Sequence, residues 1–142
     1  MKKDFIAMQS ISIHASPDAV WDALINPATI KKYLFGTEAI SDWKAGSQII
    51  YRGIWEGKTY EDKGTILKII PGKLLESSYW SGISGLEDIP ENYKKVAYKI
   101  KPEENGVELT VTQDNNADEE EKTHSEQNWK MVLEGLKKIL EE

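Results

Sequence analysis

Residues 118–142, DEEEKTHSEQNWKMVLEGLKKILEE, decide the architecture that this chain is expected to adopt. From Trp129 onward the apolar residues recur every three or four positions, while lysine and glutamate fill most of the positions between them. This spacing predicts an amphipathic helix of about 20 residues, about 30 Å long, and the acidic residues at its start suit the positive end of a helix dipole. A helix of this length needs a broad apolar surface to cover.

The middle of the chain supplies that surface as a series of predicted strands. Residues 93–100 and 106–113 alternate most clearly between apolar and polar side chains, which is typical of strands with one buried face. Three predicted turns join neighbouring strands as antiparallel hairpins: Glu56-Gly57, Pro71-Gly72 and the turn before Val107. The other predicted strands are residues 4–13, 48–55, 58–70 and 74–80.

Two short helices are predicted after the first strand. Ser16 can cap the first of them, Pro17 suits its first turn, and Asn26-Pro27 ends it before a second helix over residues 28–33. Only the C-terminal helix is long enough to cover the one-sided strands. We therefore predict one α+β domain over residues 1–142, in which a curved antiparallel sheet of about six or seven strands wraps around that helix and leaves a cavity.

Composition narrows the class of protein. The net charge is −6 and the pI about 5.1, so a basic surface for nucleic acid is not expected. The chain has no cysteine, which excludes disulfides and thiolate metal sites. No apolar run is long enough for a membrane span or for the core of a signal peptide. These features predict a soluble cytoplasmic protein without a membrane span.

The aromatic residues are the most informative chemical feature. The sequence holds five Trp and six Tyr but only two Phe, whereas a plain core favours residues without a polar tip. This excess suits a cavity wall that meets both apolar and polar groups of a ligand. The alternative is that these are large core residues whose polar tips reach the rim. The candidate lining residues are Trp43, Tyr51, Trp55, Trp80, Tyr98, Trp129 and Leu133.

The charged residues offer one candidate anchor and no catalytic constellation. Arg52 would hold a ligand carboxylate or phosphate if its strand face is concave, and would be a solvated residue if that face is convex. His14 and His124 lack the spacing of a zinc site. We name no catalytic residue and no metal ligand, and we expect no cofactor.

Five stretches of the chain resemble a known family. They are HASPDAVWDAL at 14–24, IKKYLFG at 30–36, DWKAGS at 42–47, GTILKIIPGKL at 64–74, and the helix that starts near Trp129. Together they are similar to the START-like superfamily, also called SRPBCC, with the helix-grip fold first known from the birch pollen allergen. Within it they most resemble the family named for activators of the heat-shock-protein-90 ATPase.

The resemblance implies three functions of different kinds. Members of the superfamily bind hydrophobic or amphipathic small molecules beneath the C-terminal helix, so our first hypothesis is a binding domain for such a ligand rather than an enzyme. The second is a module that contacts a chaperone, although the additional N-terminal domain of the eukaryotic co-chaperones is expected to be missing. The third is a cyclase- or hydrolase-like enzyme. The chain is expected to be a monomer or a homodimer.

Overall fold

The computed structural model describes residues 5–34, 36–82 and 85–141, apart from the side chain of Trp55. The order of elements confirms the predicted α+β helix-grip fold, with a seven-stranded antiparallel sheet, two short helices after the first strand and a long C-terminal helix. The elements are β1 (Phe5–Ile13), α1 (Pro17–Ile25), α2 (Pro27–Tyr33), β2 (Glu38–Ser41), β3 (Gln48–Trp55), β4 (Lys58–Ile70), β5 (Leu74–Tyr79), the 3-10 turn Pro90–Asn92, β6 (Lys94–Glu103), β7 (Gly106–Asn116) and α3 (Glu119–Glu141).

The hairpin between β3 and β4 sets the register of that half of the sheet. Glu56 and Gly57 have φ values of +50° and +78°, and two consecutive positive φ angles give a turn whose twist matches that of the strands. Trp55 therefore pairs with Lys58. Counting away from the turn by the same number of residues on each strand gives the other pairs, so that Tyr51 lies opposite Asp62.

The strand order is β1-β7-β6-β5-β4-β3-β2, which places the first strand beside the last. Alternate residues of each strand are buried, and these form the inner face of the sheet. Helix α3 lies against this face, mainly along β1 and β7. Its buried residues Val132, Leu133 and Leu136 belong to one core cluster with the inner residues of the strands and with the buried faces of α1 and α2.

The two short helices begin where their capping residues predict, and both pack against the core. The Ser16 side chain accepts from the Ala19 N–H at the start of α1, and the Asn26 side chain accepts from the Ala28 N–H at the start of α2. The Tyr33 hydroxyl then donates to the carbonyl of Ala23, which ties the end of α2 to α1. Both helices are thereby held against the core.

Three details differ from the prediction. Strand β2 was not predicted, because four residues are too few to show an alternation. The strand predicted over 74–80 ends at Tyr79, and Trp80 makes only an isolated bridge to Lys63. Strands β6 and β7 extend beyond their predicted ends to Glu103 and Asn116.

Candidate functional site

Four tyrosines converge on the inner face, and we call them the tyrosine cluster. Tyr33 comes from the end of α2, Tyr51 from β3, Tyr79 from β5 and Tyr98 from β6. All four pack in or against the core, and burial is the main reason that the pKa of each is raised. Tyr51 acts electrostatically on the other three, so their phenol groups surround one region.

Asp62 is the buried carboxylate of this region. It lies opposite Tyr51 on β4 and is 8% exposed. One oxygen accepts a hydrogen bond of 2.7 Å from the Tyr79 hydroxyl, and the other accepts one of 3.1 Å from the Gly82 N–H. Among the described residues, no lysine or arginine forms an ion pair with it. Burial and the neighbouring Asp62 together raise the pKa of Tyr51 to about 12.

Two hydroxyls of the tyrosine cluster are free to bind a further group. Tyr33 and Tyr79 donate to Ala23 and Asp62, but within the described ranges the hydroxyls of Tyr51 and Tyr98 have no hydrogen-bond partner. No fully enclosed side-chain oxygen in the same ranges lacks a partner. The two oxygens must therefore border accessible space, since a sealed and unbonded hydroxyl would have been a costly defect.

Trp129 of α3 forms the helix side of this region. Its ring meets the ring of Tyr98 edge to face, with centroids 5.8 Å apart. Its indole N–H donates to the Gln113 side-chain oxygen at 2.9 Å. Both contacts fix the indole plane, so the wall that α3 presents to the tyrosine cluster is rigid and largely apolar.

A polar network beside Trp129 holds the start of α3 to the sheet. Asn116 is fully buried, and its amide nitrogen donates to the carbonyls of Phe5 and Gln113, each at 3.0 Å. Lys94 Nζ donates to Glu121 at 2.6 Å and to the Asn115 carbonyl at 2.9 Å. Lys94, which pairs with Tyr79 across β5 and β6, is thus already surrounded by oxygen atoms.

The structure brings most of the predicted lining residues together. Tyr51, Tyr98 and Trp129 border the region described above, Leu133 is a fully buried core residue beneath it, and Trp43 packs against the core from the segment after β2. The side chain of Trp55 lies outside the described part of the structure. Its backbone forms the end of β3.

Two predicted residues lie elsewhere. The Trp80 indole donates to the carbonyls of Leu86 and Glu87, and Lys63 Nζ lies 5.6 Å from its ring centroid, so Trp80 faces a surface loop instead of the inner face. Arg52 is an exposed residue of the outer face, paired with Glu61 at 2.9 Å. Its face is the convex one, so it is no anchor for a ligand beneath α3.

The sequence alone did not single out Tyr33, Tyr79 or Asp62 as residues of the site. The signal for Asp62 was present, because the two-residue turn at Glu56-Gly57 fixes which residues pair across β3 and β4. Once Tyr51 is taken to face inward, its partner Asp62 must do so as well. Tyr79 and Tyr33 carried no comparable signal, since their positions depend on how distant elements pack.

Other parts of the described surface offer weaker candidates. A concave region of about 620 Å³ surrounds the acidic start of α3, and two smaller ones lie near His14 and Gly106. None of these three reaches the tyrosine cluster. No group of histidine and carboxylate side chains within residues 5–34, 36–82 and 85–141 could hold a metal ion. No helix in those ranges is both long enough and apolar enough to cross a membrane.

The arrangement defines a class: a helix-grip domain whose curved sheet and C-terminal helix enclose an aromatic interior with free polar tips. The family model described as "Activator of Hsp90 ATPase homolog 1-like protein" matches residues 14–141. The chain belongs to this family, within the START-like superfamily.

Several solved structures are similar to this chain in fold. A protein from Cytophaga hutchinsonii, ChR145, is 50% identical, with a TM-score of 0.87 over 99% of this chain and 97% of that one. The Aha1 dimer from Colwellia psychrerythraea is 20% identical, with a TM-score of 0.74 over 95% of each chain. CalU16 from Micromonospora echinospora is 23% identical, with a TM-score of 0.68 over 92% of this chain and 71% of that one. The last two show the fold alone. A search of curated proteins found no match.

Proposed function

We propose that the chain binds a small hydrophobic or amphipathic molecule at the inner face, between the tyrosine cluster and Trp129. One observation carries the proposal: the hydroxyls of Tyr51 and Tyr98, on rings that pack against the apolar core, have no hydrogen-bond partner among the described residues. A core that served only to hold the sheet and helix together would be built from phenylalanine or leucine at these positions. Membership of a ligand-binding superfamily supports the same function.

The chemistry of the site suits a ligand with one polar group. A phenol is uncharged at neutral pH, and burial raises the pKa of Tyr51 and Tyr98 further, so their free hydroxyls can donate hydrogen bonds. The apolar body of the ligand would lie against Trp129 and the buried side chains around Leu133. Since the aromatic rings pack against the core, we expect them to move aside as a ligand enters.

The test is a titration of the 15N-labelled protein with amphipathic compounds, followed by two-dimensional NMR. We expect shifts for the amides around Tyr51, Tyr98 and Trp129, and a loss of affinity of about five- to tenfold in Tyr98→Phe, since a hydrogen bond contributes about 1 kcal/mol. Tyr93→Phe is the control, because the Tyr93 hydroxyl bonds Asp88 on the surface. Shifts confined to the outer face, or equal affinity in Tyr98→Phe, would argue against the site.

A second candidate function is a module that contacts a chaperone. The family name suggests it, and the outer face carries exposed apolar residues: Ile54 is 73% exposed, and Ile40 pairs with Ile50 across β2 and β3. This function predicts that the purified chain stimulates a heat-shock-protein-90 ATPase and that Ile54→Lys abolishes the effect. No stimulation together with no complex in sedimentation would reject it.

The third hypothesis, an enzyme, requires an ionisable group that faces the ligand. Asp62 lies in the right region, but both of its oxygens already accept hydrogen bonds. Binding without catalysis is therefore the function that the geometry favours. The chain remains a monomer or a homodimer in this proposal, and the structure from Colwellia psychrerythraea, described as a dimer, makes sedimentation of this chain worth measuring.

A further inference from the structure

The charges around the tyrosine cluster limit what its ligand can be. Both oxygens of the Asp62 carboxylate accept hydrogen bonds, and the residue sits directly opposite Tyr51. A ligand group that reached the Tyr51 hydroxyl would therefore lie close to a buried negative charge.

No cation in the described part of the chain forms an ion pair with Asp62. Lys94 is the inner-face lysine nearest to Tyr79, and its ammonium group is shared between Glu121 and the Asn115 carbonyl. Lys63 and Arg52 pair with Asp88 and Glu61 on the outer side. The buried residues that α3 presents to the sheet are apolar.

We propose, on the basis that the inner face is the ligand site, that it takes an uncharged amphipathic molecule whose polar group accepts hydrogen bonds from Tyr51 and Tyr98, and that Asp62 excludes anionic analogues. The two tyrosine hydroxyls would bind an acceptor group of the ligand, and the negative charge of Asp62 would repel an anionic one. A carboxylate or phosphate at this position would lose its water and gain no cation, which is the most costly way to bury a charge.

The raised pKa values of the tyrosine cluster agree with this inference. A positive environment would favour the ionised phenolate, whereas burial and Asp62 favour the neutral phenol at Tyr51 and Tyr79. The same environment acts on a ligand: it favours a neutral hydroxyl, carbonyl or amide over an anion of the same shape.

Two matched probes test the inference: decan-1-ol and decanoate, titrated at about pH 8, where a carboxylic acid is charged. Binding is followed by the amide shifts around Tyr98 and Trp129. We expect decanol to bind at least about tenfold more tightly than decanoate. Equal or tighter binding of decanoate would overturn the inference, yet leave the proposed function standing. Binding of neither probe at these amides would count against both.

A variant assigns the effect to its residue. Asp62→Asn keeps the shape of the side chain and removes the charge, so the affinity for decanoate should rise about fivefold or more, while that for decanol stays within about twofold. Glu61→Gln is the matched control on the outer face and should change neither. An unchanged ratio in a folded Asp62→Asn chain would reject Asp62 as the selective residue. If that variant fails to fold, the comparison in the unaltered chain still decides whether anions are excluded.

Discussion

Single residues decide how closely β4 and β5 approach. A methyl group added at Gly64 would lie 1.8 Å from the backbone carbonyl oxygen of Ser78, which cannot move without opening the sheet. We expect Gly64→Ala to lower the free energy of unfolding by about 2–3 kcal/mol, measured by chemical denaturation. A loss below about 0.5 kcal/mol would show that the strands can separate there at little cost.

At Gly135, unlike Gly64, the structure has room for a methyl group. Gly135 lies within α3, and an added methyl group would meet only the Cβ of Tyr33, at an ordinary contact distance of 3.8 Å. Since alanine forms helices better than glycine, Gly135→Ala should raise the free energy of unfolding by about 0.5–1 kcal/mol. A destabilised variant would mean that α3 and α2 already touch at this point.

At the scale of elements, a bulge near the end of β7 builds the polar network beneath α3. The pairing of β1 with β7 shifts between Phe5 and Ala7, and Asn115 has a left-handed φ of +57°. The shift turns both Gln113 and Asn116 inward, although they are three residues apart. A regular strand would have pointed one of them to the outer face.

The network predicts a large cost for one substitution. Asn116→Ala leaves the Phe5 and Gln113 carbonyls without their donor and removes the acceptor of the Ser125 hydroxyl. We expect a loss of about 2–4 kcal/mol in the free energy of unfolding, since each buried bond contributes about 1 kcal/mol. The exposed Asn128→Ala should stay within about 0.5 kcal/mol, and similar losses in both variants would contradict the role of the network.

Helix α3 also covers the free edge of β1. Glu126 accepts from the Met8 N–H at 3.0 Å, Lys137 donates to the Ser12 carbonyl at 2.7 Å, and Glu141 accepts from the His14 N–H at 2.8 Å. These bonds occupy backbone groups that would otherwise be open to another strand. The short β2 limits the other edge to four residues.

Hydrogen exchange at single amides of β1 tests whether α3 protects this edge. Glu126→Ala should raise the rate of hydrogen exchange at the Met8 amide by about tenfold, because that amide loses its acceptor while the rest of the sheet stays paired. Glu134→Ala, on the solvent side of α3, should leave the rate unchanged. Faster exchange throughout β1 and β7 would instead indicate that the whole strand opens.

At the scale of the whole molecule, the tyrosine cluster makes stability depend on alkaline pH. A tyrosine in the unfolded chain ionises near pH 10, whereas the pKa of Tyr51 in the fold is about 12. Between these values the unfolded chain has lost protons that the folded chain keeps. The stabilisation is therefore complete below about pH 10 and falls as the pH rises towards about 12.

We expect the free energy of unfolding to drop between about pH 10 and about pH 12 by up to about 1.4 kcal/mol per pH unit for each such tyrosine. Urea denaturation at these two pH values measures it, and Tyr51→Phe should reduce the slope by removing one titrating group. A stability that is level up to about pH 12 would mean that the phenols ionise as freely in the fold as outside it.

Much of this molecule follows from the sequence because local rules act on it directly. The caps at Ser16 and Asn26, the hairpin at Glu56-Gly57 and the spacing after Trp129 each determine their element without help from distant residues. The family resemblance agreed with them, and the fold was confirmed. Strand β2 was missed because its pairing with β3, not its own pattern, makes it a strand.

The site was only partly predictable because it depends on which face each side chain takes. Within residues 74–80 both alternating sets contain apolar and polar members, so the sequence alone does not choose between Tyr79 and Trp80. The packing of Leu75 and Ser77 into the core chooses Tyr79. Arg52 follows the same rule, since the inward position of Tyr51 sends its neighbour outward.

The position of β1 between β7 and α3 has a consequence for how the chain is made. Ser10 meets Thr110, and Met8 meets Glu126, across 100 and 118 residues of sequence. A ribosome that adds about 5–20 residues per second would release β1 about 5–20 s before its partners exist. Throughout that interval the apolar side of the first strand has nothing to pair with. Helix α3, which follows all seven strands in the sequence, is thus the element that completes the fold, and a nascent chain truncated before α3 should be a substrate for holding chaperones.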